Sequence, residues 1–94
     1  MTSCYNKNIE REREEIKIGN KLSTVVNVNG KFYWVDTCYT LDHGYETMAF
    51  PSNENGEVTS WLEVYANRYF TWAEAEAGHK LATDPNFLKE NLRE

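Results

Sequence analysis

The residues best suited to chemistry stand close together in one stretch, Tyr39-Thr40-Leu41-Asp42-His43-Gly44-Tyr45-Glu46, where an Asp, a His, a Glu and two Tyr fall within eight positions. Such a group suits an acid and base pair or the rim of a ligand site, since carboxylate and imidazole change protonation with modest shifts in their surroundings. Asp, His and Gly also gather in turns for local backbone reasons, so a plain turn is the competing reading. The other candidate ligands are His79, Cys4, Cys38 and scattered carboxylates. No HxxxH, HExxH or CxxC spacing places two soft ligands on one face, so neither a metal nor a cofactor is expected. Cys38 has His43 and His79 as potential bases but no strained elbow to present its thiol, and no catalytic residue is assigned. The five glycines are dispersed, which excludes a phosphate-cradling loop.

These side chains must be positioned by a small fold. Ninety-four residues leave room for one domain, 1–94, and the seven Gly and Pro positions with 40% hydrophobic residues exclude collagen-like and strongly disordered chains. From Leu22 the hydrophobic period is two, and Asn29-Gly30 predicts a type I′ hairpin over 22–38. With those two residues at the turn, Val28 faces Lys31, Val26 faces Tyr33, Thr24 faces Val35 and Leu22 faces Thr37. The opposite face carries Val25 beside Trp34, Asn27 beside Phe32 and Ser23 beside Asp36, so it is expected to be mixed and partly covered.

Asp42-His43-Gly44 predicts a turn, followed by a strand over 45–50 that ends at Pro51. Segment 58–69 alternates with β-branched and aromatic enrichment and is read as a strand, with a helix as the competing reading. Thr71-Trp72-Ala73-Glu74 is a capping box that opens a helix over 72–82, with Ala73, Ala77 and Leu81 on one face. Asp84-Pro85 starts a short helix over 85–92. Residues 1–18 alternate in charge with no apolar stripe and read as a charged helix or mobile arm. The fold class is therefore α+β, an antiparallel sheet of three to four strands packed by a C-terminal helix.

Composition narrows the function classes. Ten Lys and Arg against fifteen Asp and Glu give a net charge of −5, which disfavours direct nucleic-acid binding and favours a basic protein surface as partner. No apolar run reaches membrane-spanning length and the N-terminal stretch is charged, so a cytoplasmic chain with no membrane association is expected, its two cysteines free thiols. Thirteen aromatic residues exceed what a thin core must hold if Trp61, Tyr65 and Tyr69 share a strand face while Phe32 and Trp34 lie on the hairpin. A surplus would form an exposed patch that anchors a partner or stacks a base.

Two stretches, Glu46-Thr47-Met48-Ala49-Phe50 and Arg68-Tyr69-Phe70-Thr71-Trp72-Ala73-Glu74-Ala75-Glu76-Ala77-Gly78-His79, resemble small hypothetical proteins of bacteriophages and prophages. The shared pattern is Glu-Thr-Met-x-Phe, a variable loop, then Arg-Tyr-x-Thr-x-x-Glu-Ala-x-x-Gly-His. It covers about a third of the chain, and Trp61 to Tyr65 lengthen the middle relative to many of those proteins. The resemblance implies a viral origin and a compact α+β unit, and it brings no activity with it. Physical readings exist for most of the pattern: Glu46 and Arg68 as cross-strand partners, Thr71 and Glu74 as caps, Gly78 as a point of close helix packing. His79 has none and is a site candidate.

Three functional readings follow. The first is a non-enzymatic, phage-derived inhibitor that occupies a host protein, by analogy with anti-defence proteins such as anti-CRISPRs. The second is an oligomeric protein that sequesters a nucleotide signal, with stacking from Trp34, Trp61 or Tyr65 and polar contacts from Arg68, His79 or Lys80. The third, a catalyst built on His43 or His79, is the weakest. The candidate binding residues are Trp34, Asp42, His43, Glu46, Trp61, Tyr65, Arg68 and His79.

Overall fold

The Asn-Gly turn sets the register of the whole sheet. In the computed structural model, which describes residues 21–93, Asn29 has φ 55° and Gly30 has φ 91°, the two positive values a type I′ turn requires. Asn27 Oδ1 accepts the Gly30 N–H at 2.8 Å and fastens the turn. Strand β1 (Lys21–Val28) and strand β2 (Lys31–Thr40) then pair with Val28 opposite Lys31, Val26 opposite Tyr33, Thr24 opposite Val35 and Leu22 opposite Thr37. Strand β3 (Gly44–Ser52) and strand β4 (Tyr65–Tyr69) complete a four-stranded antiparallel meander in the order β1-β2-β3-β4. Helix α1 (Trp72–Ala82) and helix α2 (Pro85–Asn91) follow, giving the α+β architecture. The charged segment 1–18 and Cys4 lie outside the described residues.

One face of the sheet meets the helices. Val26, Val28, Tyr33, Val35, Ala49 and Tyr65 form its core with Ala82 and Leu88 from above, and Phe87 and Leu92 close the rim. Helix α1 begins at the expected capping box, with Thr71 Oγ1 accepting the Glu74 N–H and Glu74 Oε1 accepting the Thr71 N–H. Its buried face differs from the expected one. Ala75, His79 and Ala82 are buried, whereas Ala73 and Ala77 are exposed and Leu81 points to solvent. The reason is the phenol of Tyr69, which fills the space where a Cβ at Gly78 would stand. Because the ring lies against Gly78, the helix rolls so that the small Ala75 and Ala82 approach the strands.

Two strand boundaries also differ. Strand β3 continues through Pro51 because residues 49 and 51 turn their polar groups away from β2. Ala49 O accepts the Val64 N–H and Pro51 O accepts the Thr59 N–H, both at 2.9 Å, so the N–H that Pro51 lacks removes no bond to β2. Strand β4 starts only at Tyr65. A strand running through both Trp61 and Tyr65 would place them on one face, since they are four residues apart. The chain instead bends between them: Trp61 lies against Phe50 and Trp34 on the face away from the helices, and Tyr65 meets Phe87 beneath α2. Asn53 stabilises the return loop by accepting the N–H groups of Asn55 and Glu57.

The face away from the helices is more buried than its mixed composition predicts. Phe50, Met48, Cys38, Asp36 and Glu46 are all buried there. Cys38 is disulfide-bonded rather than a free thiol, and the other half of the bridge lies outside the described residues. The free-thiol expectation rested on compartment and spacing alone, and spacing along the chain does not measure distance in the fold. Among the described residues no helix is long and apolar enough to cross a membrane.

Candidate functional site

The β2–β3 turn that gathers Asp42 and His43 is held by local bonds. Thr40 Oγ1 accepts the His43 N–H at 3.1 Å, and Gly44 takes φ 73°, a value L side chains adopt rarely, as β3 begins. Antiparallel pairing then brings Glu46 opposite Arg68, and Arg68 Nε lies 3.5 Å from Glu46 Oε2. Glu46 is buried while the Arg68 side chain is 61% exposed, so the carboxylate is a fixed post and the guanidinium reaches outward. Burial raises the Glu46 pKa, and the neighbouring His43 and Arg68 side chains oppose that rise. Glu46 Oε1 has no hydrogen-bond partner.

A cavity of about 620 Å³ opens beside this pair, lined by His43, Glu46, Glu63, Asn67, Arg68 and Arg93 over Met48 and Ala66. Arg93 is held in place through its backbone, whose N–H donates to Val64 O at 2.8 Å. Its guanidinium Nη1 stands 3.9 Å from Glu63 Oε2. A second hollow of about 340 Å³ shares His43 and Arg68 with the first and is walled by Tyr39, Tyr45, Tyr69 and Phe70. The strand register sends Glu46 and Arg68 to the sheet face away from the helices, whereas Tyr45 and Tyr69 project to the helix face, against Trp72 and Gly78.

Behind the charged cavity, on the same sheet face as Glu46, Asp36 is only 1% exposed. Ser23 Oγ donates to its Oδ1 at 3.4 Å, and Oδ2 has no partner. Desolvation pushes its pKa up to about 6; Lys21 and Ser23 counter that rise and Glu46 adds to it. Asp36 pairs with Met48 and Glu46 is two residues before Met48, so the two buried carboxylates are diagonal neighbours on one face.

Of the eight residues singled out in the sequence, His43, Glu46 and Arg68 meet in the charged cavity, with Asp42 in the adjoining turn. Trp34 and Trp61 form a separate edge-to-face contact with ring centroids 6.1 Å apart, and Phe50 lies within 6.1 Å of Trp34 and 5.0 Å of Trp61. Tyr65 is on the opposite face and shares no ligand surface with those tryptophans.

His79 is buried between helix and sheet. Its Nε2 is 2.9 Å from Thr24 Oγ1, its Nδ1 is 2.6 Å from Thr37 Oγ1, and Thr37 in turn bonds Thr47. Burial lowers its pKa, so the ring stands neutral and ties α1 to three strands through hydroxyls. Among the described residues no three His, Cys, Asp or Glu side chains gather as metal ligands.

Sequence reasoning passed over Glu63, Arg93, Asp36 and Phe70. Glu63 and Arg93 carry no local motif, and the Arg93 to Val64 backbone bond is what brings residue 93 to this cavity. Asp36 had a signal, an acid inside a strand flanked by Trp34, Val35 and Thr37. So had Phe70, which precedes the N-cap where an apolar residue usually packs on the fourth helical position. That position is Ala75, too small to hold a ring, and Phe70 is 95% exposed.

No protein-family model, curated protein or solved structure matches this chain.

Proposed function

We propose that this chain is a non-enzymatic binding protein that acts by occupying a basic surface of another protein. The sequence resemblance implies a viral origin, and by analogy with anti-defence proteins the setting is inhibition of a host component. The observation that carries the reading is Phe70. A phenyl ring left in water forgoes roughly 2–3 kcal/mol that burial would return, and the fold gives it no apolar seat. Near it Tyr39 meets Tyr45 edge-to-face and Tyr45 meets Trp72 at a tilt, with centroids 5.1 and 5.8 Å apart, so the end of the sheet offers packed rings rather than mobile chains. Exposed Leu41 in the β2–β3 turn extends the apolar surface, and the exposed acids Glu74 and Glu76 follow on α1. Aromatic anchors beside acidic side chains suit a partner that is apolar at its centre and basic at its rim.

The test compares tagged wild-type chain with Phe70→Asp as bait in host lysate at low and high salt. The expected result is one partner recovered in stoichiometric amount by wild type, lost from Phe70→Asp and weakened by salt. Recovery of the same partner by Phe70→Asp would overturn the assignment, as would a wild-type chain that engages only a second copy of itself on a sizing column. Sequestration of a small nucleotide is the second reading, and the charged cavity between Glu46 and Arg93 is the observation that favours it.

A further inference from the structure

The sheet face away from the helices carries a notch that the fold builds around two tryptophans. Asn53 organises the loop beside it: its side-chain oxygen accepts the Asn55 and Glu57 N–H groups, and its amide donates to Glu57 Oε1 at 2.7 Å. Gly56 takes φ 86° in that loop, and a Cβ there would stand 2.9 Å from Val25 Cγ2, so the loop rests directly on β1. Val25 is the partner of Trp34 across the hairpin, and Trp34 is the partner of Phe50 in β3. The chain then returns along β3 through the bond from the Thr59 N–H to Pro51 O. Ser60 Oγ accepts the Leu62 N–H at the bend where Trp61 packs on Phe50. Every piece of the notch therefore lies on one face of the sheet.

Trp34, Trp61, Gly56, Glu57 and Val58 line a cavity of about 260 Å³. That is below the ~300–1,000 Å³ typical of sites for larger ligands, so the notch takes one compact group rather than a whole nucleotide. The two indoles stand at 88° with centroids 6.1 Å apart, and planes at right angles make a corner that a rounded group touches on two sides. Indole faces carry the negative part of the ring quadrupole and attract cations. Glu57 adds an acidic group, and no Lys, Arg or His is found among the described residues that line the cavity. A net charge of −5 works in the same direction.

Hydrogen bonding decides which cation. Glu57 Oε1 already accepts from Asn53 and the ring faces are poor acceptors, so a bare ammonium seated here would leave N–H groups without partners. A trimethylammonium group has no N–H to satisfy, and its methyls pack against the rings while its charge meets their faces. Trp61 is 43% exposed, so seating such a group also removes apolar ring surface from water.

We propose that this notch binds a trimethylammonium group, held in the corner between Trp34 and Trp61 with Glu57 beside it. A free cation such as choline and a trimethylated lysine side chain present the same group to the corner. The assignment goes beyond both functional readings, since it uses neither Phe70 nor the cavity between Glu46 and Arg93.

The experiment titrates the full chain with choline, with ethanolamine, and with the neutral tert-butyl alcohol in which carbon replaces the choline nitrogen, followed by tryptophan fluorescence and calorimetry. Short peptides bearing trimethyllysine or unmodified lysine form a second pair of arms. Choline should bind about tenfold or more tighter than ethanolamine or the neutral isostere, and the methylated peptide should exceed the unmodified one by a similar factor. Tighter binding of the methylated peptide than of choline upholds the site and identifies a protein side chain as its ligand; the reverse order upholds it with a free small cation. Trp61→Leu should weaken choline binding about tenfold or more, Trp61→Phe by less, and Glu57→Gln should both weaken it and reduce its salt dependence. Because Trp61 packs on Phe50, the Tm of each free variant is read alongside, and the isostere comparison is made on the wild-type chain. Equal binding of choline and its neutral isostere would overturn the cation assignment. Choline binding unchanged in a folded Trp61→Leu chain would overturn the location, and no binding of choline or the methylated peptide would overturn the site altogether.

Discussion

Asp36 is the residue at which burial and charge are most at odds. A carboxylate with one oxygen unpartnered in the sheet face raises its pKa from 3.8 to about 6. The folded state therefore holds this proton more tightly than the unfolded chain. Its contribution to stability is complete below pH ~4 and is lost as pH rises from ~4 through 6. Two pKa units correspond to about 3 kcal/mol, given up by the time the solution is neutral. Asp36→Asn keeps the shape and removes the titration, so it should raise stability at pH 8 by ~1–3 kcal/mol and have little effect at pH 4. Urea unfolding of both proteins at the two pH values measures this. Equal stability differences at pH 4 and pH 8 would show that Asp36 does not hold the proton.

His79 behaves in the opposite sense. Its pKa is lowered by burial, so the folded state resists protonation and its contribution is lost as pH falls below the ordinary histidine value. Nothing in the one-dimensional sequence distinguishes a ligand histidine from one that ties Thr24 and Thr37 to a helix. That distinction needs the three-dimensional neighbours, and both ring nitrogens have them.

At the scale of elements, the contact between α1 and β4 depends on Gly78. A Cβ there would overlap Oη, Cζ and Cε1 of Tyr69, and the phenol oxygen is itself buried without a partner. Ala is the better helix former by about 1 kcal/mol, yet Gly78→Ala should destabilise the fold by ~1–3 kcal/mol because the ring has to move. Tyr69→Phe removes an unsatisfied hydroxyl and should be neutral or stabilising by up to ~1 kcal/mol. Since the hydroxyl is part of the clash, the double variant should recover part of the Gly78→Ala loss, and a double-mutant cycle by thermal or urea unfolding reads the coupling. Strict additivity would mean that the helix does not sit on this ring.

The elements that sequence made legible are those specified by adjacent residues. Asn29-Gly30 set the hairpin and its register, Thr71-Glu74 the start of α1, and Asp84-Pro85 the start of α2. The misreadings arise where distant residues decide. Alternation in 58–64 is real, but Trp61 packs on Phe50 on the face away from the helices while Tyr65 packs on the other, and the strand starts only at Tyr65. Likewise α1 presents Ala75 and Ala82 because a tyrosine from β4 occupies the Gly78 position. Half of the charged cavity was legible for the same reason: Glu46 and Arg68 follow from strand pairing, whereas Glu63 and Arg93 reach it through the fold of a loop and the chain end.

Taken as a whole molecule, the chain separates its aromatic residues by role. Tyr33 and Tyr65 fill the core under the helices, Trp34, Phe50 and Trp61 close the opposite face, and Phe70 with its neighbours is left at one end of the sheet. That separation supports an acidic binding protein whose docking surface is the aromatic end. The most direct test is the affinity of the purified complex for wild type and Phe70→Asp, measured alongside the Tm of each free chain. The account predicts a Kd at least a hundredfold weaker for Phe70→Asp with Tm unchanged within about 2 °C, because a fully exposed ring contributes to binding and not to the fold. An unchanged Kd, or a loss of affinity accompanied by unfolding, would contradict it.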